Sequence, residues 1–252
     1  MLIRHISFCT LLASLLLCSS TICSSTECNA GFALFCPPKK WEIVDARALS
    51  PRVTVGFVKK LGSGFSPSIN LATEKIRCTE MEYLKTVRSL YEADRETRWR
   101  DVGTIHTKAG DARLTEIDMK SKWGPVRMMQ MLFIRGDTVY ILTAAAPKKQ
   151  FSKYTDDFHQ CFTSFSLEDD LLKMMQTEEE LSLITNKINC LKETKGKLSL
   201  EKNADSSLWQ KECSATEKFL SESFPHHGAY WQMLMMKHII EQASSPSEGK
   251  DA

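Results

Sequence analysis

VRMMQMLFIRGDTVYILTAAA, residues 126–146, is apolar in both phases of a two-residue period. Met128, Leu132 and Ile134 share one phase, and Met129, Met131 and Phe133 share the other. A strand open to water on one side alternates apolar and polar residues, so a run apolar in both phases predicts a strand covered above and below. Gly136-Asp137 breaks the run before Val139, Tyr140, Ile141 and Leu142 resume it. Glycine followed by a polar residue is a hairpin signal, because glycine takes positive φ without steric cost. The stretch predicts a central antiparallel hairpin whose two faces need layers from the flanking chain.

On the N-terminal side, strands are expected at 30–35, 41–44, 53–58 and 69–76, with 59–67 as a glycine-rich connection. That connection has no Gly-Lys-Ser/Thr ending and no helix behind it, so it reads as a plain loop and not as a phosphate cradle. Thr79-Glu80-Met81-Glu82 is a capping box that opens a helix over 79–94, with Leu84, Val87 and Tyr91 flanked by Tyr83 and Leu90 as its apolar stripe. Residues 98–108 and 111–123 read as a second hairpin turning at Ala109-Gly110-Asp111. In its second arm, Ala112 and Leu114 are out of phase with Ile117, Met119 and Trp123, which predicts a bulge near Glu116. After the central hairpin, a helix over 151–162 carries Phe151, Tyr154, Phe158 and Cys161/Phe162 on one side and Asp156, Asp157 and His159 toward solvent. A strand at 164–167 closes the region.

This order of elements, with Pro37-Pro38, Trp41, SPSINLATEKI (66–76) and FSKYTDDFHQCFTSFSL (151–167), resembles the PsbP-like superfamily. That group includes the photosystem II extrinsic PsbP proteins, the Ran-binding Mog proteins, and small bacterial exported proteins and lipoproteins. The resemblance covers residues 30–167. It implies an α+β fold, an α/β/α sandwich around a twisted antiparallel sheet, and a role in binding or assembly without catalysis. It transfers no functional residues.

Beyond residue 167 the resemblance ends and an all-α extension is expected over 168–243, before a disordered tail at 244–252. Leu181, Ile184, Ile188 and Leu191 mark a helix over 168–195 capped by Gly196. Trp209, Cys213, Thr216 and Leu220 mark a second helix over 204–224. The third, over 229–243, is apolar nearly all round and must be buried against something.

The chain of 252 residues has a formal net charge of +2, 42% hydrophobic residues and 25% charged residues, the composition of an ordinary globular chain. Residues 29–167 carry +7 and residues 168–252 carry −5, and every arginine lies at or before Arg135. The two segments are thus distinct in composition, and the overall balance is too mild for a nucleic-acid binder. Arg4 and His5, the apolar run 6–18 and the small residues through Ser25 have the anatomy of a secretory signal over 1–25. Cys18 follows Leu17 and Cys23 follows Ile22, which makes a poor lipobox, so export to the periplasm or cell envelope is expected, with secretion and lipidation as its variants. The sandwich is then expected over 29–167. Cys28, Cys36, Cys78, Cys161, Cys190 and Cys213 remain after the signal. In an exported chain these six permit disulfides in any of about 15 pairings, although Cys78 and Cys161 also fit as small buried apolar residues.

No Gly-x-Ser-x-Gly, His-Glu-x-x-His, calcium loop or CxxC spacing is present, so no catalytic residue, cofactor or metal is expected. His226 and His227 are adjacent, and adjacent side chains on a helix diverge. Two partner-binding surfaces are expected. Arg98, Arg100, His106 and Lys108 alternate onto one face of a strand, with Trp99 and Ile105 on the other. Such a face meets an acidic protein partner or, as peripheral membrane association, an anionic head group; an ordinary sheet edge uses the same charges for protection. Met233, Met236 and Ile240 form a repackable face on the last helix, or that helix's own core. Arg135-Gly136-Asp137 resembles an integrin-recognition tripeptide, though turn chemistry alone accounts for it. The leading expectation is an exported bacterial non-enzymatic binding or assembly protein. The alternatives are a secreted effector or adhesin at a host surface, and a hydrolase without a recognisable motif.

Overall fold

The computed structural model describes residues 31–62, 64–200 and 206–244. The signal expected at 1–25, Cys28, and the tail expected at 244–252 apart from Ser244 lie outside the described residues. The elements are β1 (Phe32–Leu34), β2 (Glu42–Ile43), β3 (Val53–Val58), β4 (Ser68–Lys75), α1 (Glu80–Glu92), β5 (Arg98–Thr107), β6 (Gly110–Ser121), β7 (Gly124–Arg135), β8 (Thr138–Pro147), α2 (Thr155–Thr163) and β9 (Ser166–Glu168). There follow α3 (Glu178–Leu200), α4 (Ser206–Ser223) and α5 (Gly228–Ser244). Contacts divide the chain into two compact units, Met1–Leu167 and Glu168–Ala252. Among the described residues, no helix is long and apolar enough to cross a membrane.

In the first unit, β2 to β8 form one antiparallel sheet in the order β2-β3-β4-β8-β7-β6-β5, and β1 pairs with β9. The expected hairpin is its centre. β7 and β8 pair from Val126↔Pro147 to Arg135↔Thr138 around Gly136-Asp137, where Gly136 takes φ 61°. The apolar double phase is satisfied on both sides. Val126, Met128 and Leu132 of β7 join Val139 and Ala145 of β8, Ile117 of β6, and Tyr83, Val87 and Tyr91 of α1 in one cluster. The fourfold spacing of those α1 residues sets the buried stripe. Leu84 packs at its margin and Leu90 is exposed. Thr79 caps α1: its Oγ1 accepts from the Glu82 amide at 3.3 Å, and its own amide donates to Glu82 Oε2 at 2.9 Å.

Met131, Phe133, Tyr140 and Leu142 belong to the other phase and are also buried. The 3-10 turn Lys148–Tyr154 and α2 supply this second layer. Phe158, Cys161 and Phe162 are fully buried there, and Phe165 lies 5.6 Å from Phe133 and 5.9 Å from Tyr140, ring to ring. Asp156 and His159 are exposed and Asp157 is half-buried, as a solvent face requires. Gln130 brings an amide into the core. Gln130 Oε1 accepts from the Tyr91 hydroxyl at 3.3 Å, and its Nε2 donates to Thr143 Oγ1 at 3.2 Å.

One expectation about the second hairpin is corrected. β6 runs in unbroken register against β7 from Arg113↔Leu132 to Ser121↔Gly124, so it has no bulge at Glu116. Ala112 and Leu114 are buried on one face and Ile117 on the other, because each face is covered over a different part of the strand and not because the strand slips. The bulge lies in β5, between Asp101 and Gly103, and leaves Val102 48% exposed. The five described cysteines, Cys36, Cys78, Cys161, Cys190 and Cys213, are free thiols. Cys78 is exposed rather than buried. Cys161 is buried, and its thiol donates to the Cys36 carbonyl at 2.9 Å.

In the second unit, α3, α4 and α5 pack on one another. The first helix starts at Glu178 and not at residue 168, and Gly196 lies inside it and not at its cap. Asp170 instead caps a separate 3-10 turn, Leu171–Met174, through its carboxylate and the Leu172 amide at 2.9 Å. Ile184, Ile188 and Leu191 are buried, whereas Leu181 is exposed. In α5, Tyr230, Trp231, Leu234, Met235, Met236, Ile239 and Ala243 are buried, which matches its all-round apolar character.

Candidate functional site

Side chains directly opposite on antiparallel strands lie on one face, and a bulge reverses the phase beyond it. Arg98 faces Asp118 and Arg100 faces Glu116 on one side of the sheet. Past the bulge the phase reverses, so His106, opposite Asp111, projects from the other side. The expected single cationic face of Arg98, Arg100, His106 and Lys108 is therefore split. Lys108 lies in the turn after β5, and Trp99 and Ile105 are likewise on opposite faces. His106 is engaged locally, with Nδ1 2.5 Å from Asp111 Oδ1.

The structure places a different set beside Arg98 and Arg100. Asp118 and Glu116 of β6 stand next to Arg127 of β7 and Lys148. Asp118 accepts from Arg127 Nε at 2.7 Å and Nη2 at 2.9 Å, and Lys148 Nζ lies 2.9 Å from it. Glu116 accepts from Arg100 Nη2 at 2.8 Å and lies 3.3 Å from Arg127. The carboxylates are the inner members, with side-chain exposures of 13% and 18%, against 66% for Arg100. Arg98, Arg100, Arg127 and Lys148 thus stand over Glu116 and Asp118. Four cations against two anions leave a surplus of two positive charges on this face. Sequence reading missed Arg127, Lys148 and the two acids, because Arg127 reads only as a polar break in an apolar strand until its register against β6 is known.

The Arg127 hydrogen bonds, then Lys148, hold the Asp118 carboxyl down at about 2 from its ordinary 3.8. A depressed folded-state pKa stabilises the fold above the unfolded value, and that stabilisation disappears as pH falls through about 2. Solvent screening limits it to about 1 kcal/mol. Asp118→Asn is expected to lower stability at pH 7 by that amount and to match the parent near the acid end of a urea-melt series. An unchanged difference across the whole pH range would contradict the pairing.

The methionine-rich surface is mostly interior: Met236 is buried, and Met233 and Ile240 are half-buried. At the 135–137 tripeptide, Asp137 is paired with Lys75 at 2.7 Å, and its carbonyl accepts from the Ile76 amide at 2.7 Å. The turn and its neighbour strand use these groups.

One further cluster departs from the sequence expectation. His226 and His227 do not diverge: they sit in the 3-10 turn Pro225–His227, and their ring centroids are 4.2 Å apart. His226 Nε2 is 3.5 Å from Glu180 Oε1, in the first turn of α3. One ligand atom from each of Glu180, His226 and His227 lies within 4.8 Å of the others. Burial, then the neighbouring His226, shifts the His227 imidazole to a lower pKa, which favours its neutral form. Among the described residues this is the set whose donor atoms suit a metal ion.

No protein-family model and no curated protein matches the chain. Among solved structures it is similar to LpqN of Mycobacterium tuberculosis, described as involved in cell envelope biogenesis. That match is 12% identical, covers 56% of this chain and 87% of that one, and has a TM-score of 0.42. It is also similar to the cyanobacterial PsbP of Synechocystis sp. PCC 6803, at 12% identity over 58% of this chain and 98% of that one, TM-score 0.39. The Ran-binding protein Mog1p of Saccharomyces cerevisiae is 13% identical, covers 51% of this chain and 95% of that one, and has a TM-score of 0.31.

Proposed function

We propose that the chain is an exported, non-enzymatic binding or assembly protein of the cell envelope, and that it meets an acidic protein surface through the β5–β6–β7 face. The observation that carries this reading is the surplus of positive charge over Glu116 and Asp118. The two acids are held low in the sheet, and Glu116 fixes the Arg100 head while leaving it 66% exposed to water. Preordered charge of one sign speeds encounter with a partner of the other sign and sets orientation more than it adds affinity. Arg98 is the exposed member outside the ion-pair network of this face. The export half of the reading is supported by the residue pattern over 1–25.

The test is quantitative co-purification from the native envelope by the full chain and by Arg98→Glu, with His106→Ala as a control on the opposite face. A partner that is retained at low salt, is lost as salt rises, and falls by about 10-fold with Arg98→Glu supports the reading. Equal recovery by Arg98→Glu would remove it. Surface substitutions of this kind cost the fold no more than about 0.5 kcal/mol, so both variants remain folded for the comparison.

A further inference from the structure

We propose that Glu180, His226 and His227 bind a borderline divalent cation of the Zn²⁺ class, tying the start of α3 to the α4–α5 connection. The backbone makes the site from residues far apart in sequence. Pro225 opens a 3-10 turn, and Gly228, at φ 78°, ends it. The two consecutive imidazoles nonetheless come together, with centroids 4.2 Å apart. Across from them, Glu180 is fixed by its other oxygen, since Oε2 accepts from the Gln176 amide at 2.8 Å. Oε1 is thereby left toward His226 Nε2 at 3.5 Å. Such an outer partner on a ligating carboxylate is the usual means of orienting it.

His227 supplies the observation that a plain ion pair does not explain. Its ring lies against Trp231, at 4.2 Å and 22° between planes. Its Nε2 is closed off from solvent with no hydrogen-bond partner among the described residues. A desolvated ring nitrogen left unpaired costs free energy, and an unseen ion is one of the few things that accounts for it. The His226–Glu180 contact alone uses two of the three side chains. A cation uses all three.

Two imidazole nitrogens and one carboxylate oxygen select the ion. Zinc binds this donor set at about 2.0–2.2 Å, which in tetrahedral geometry separates the ligand atoms by about 3.3 Å. The His226–Glu180 distance already matches that spacing, and the other separations, all within 4.8 Å, close with side-chain rotation. Magnesium and calcium prefer all-oxygen sites and are disfavoured here. Three protein ligands leave a coordination position to water.

The test uses the full chain without a polyhistidine tag, titrated calorimetrically with Zn²⁺ alone. One ion per chain is expected to bind, unaffected by excess Mg²⁺. His226→Gln and Glu180→Gln are each expected to weaken binding by at least about 10-fold, and His159→Gln to leave it unchanged. Because Cys190 is exposed, the titration is repeated after thiol alkylation, where the expected result is the same binding. Circular dichroism confirms that each variant is folded. A measurement needing no variant is the visible spectrum of the Co²⁺-loaded parent, expected to show d–d bands without a thiolate charge-transfer band. Failure of the parent to bind Zn²⁺, equal binding by His226→Gln and Glu180→Gln, loss on alkylation, or a thiolate band would each overturn the proposal.

Discussion

Phe158→Ala is expected to destabilise the first unit by about 3–5 kcal/mol, the range for removing a fully buried aromatic ring. Phe158 has no exposed surface. Its ring is 5.3 Å from Phe151, 6.1 Å from Tyr154 and 6.1 Å from Trp41, so it joins α2, the turn before it and the N-terminal segment. The neighbouring rings are anchored by several elements and collapse only partly into the space, which places the cost in the upper part of that range. The measurement is a urea melt followed by tryptophan fluorescence, with a lower midpoint at an unchanged slope. A loss below about 1 kcal/mol would mean that α2 is not an essential cover of the sheet. The free thiols offer a second reading. Burial pushes the Cys161 thiol up to about 12, so in the parent it reacts with an alkylating reagent only when α2 lifts. In Phe158→Ala it is expected to react faster.

Ending the chain after Leu167 is expected to leave a folded sandwich with one cooperative thermal transition, while the far-ultraviolet helix signal of α3, α4 and α5 is lost. Both layers that cover the sheet precede that point: α1 on one face, and the 3-10 turn Lys148–Tyr154 with α2 on the other. The central strands β4, β8, β7 and β6 draw all their pairing partners from the same segment. The sheet therefore needs no backbone hydrogen bond from beyond β9. A truncated chain that melted without cooperativity, or stayed insoluble, would show that the helical unit is part of the sandwich's own core.

What was legible in the sequence was whatever local chemistry decides. A strand apolar in both phases has to lie in the middle of a covered sheet, and Gly136-Asp137 has to turn it. Thr79 and Glu82 announce α1 because a capping box is a contact between residues three apart. What was not legible depended on register. Val102 looks like any strand residue, so nothing marked it as the bulge that sends Arg98 and His106 to opposite faces. The phase change in β6 was visible, but its cause was a cover that changes sides along the strand rather than a slip. Thr177 and Glu180 form a capping signature that the long acidic run obscured: the Glu180 amide donates to Thr177 Oγ1 at 3.1 Å. The histidine pair was judged by the angle between adjacent Cβ positions, which does not fix where the rings end, and its third member, Glu180, arrives from another helix.

The bulge has a consequence of its own. β5 is ten residues long and forms one rim of the sheet, where a straight ribbon would template the addition of another chain. At Val102 the rim bends, so amides and carbonyls before and after the bend fall out of step with any flat neighbour. Copies crowded together at a surface would stay as separate molecules instead of zipping into filaments.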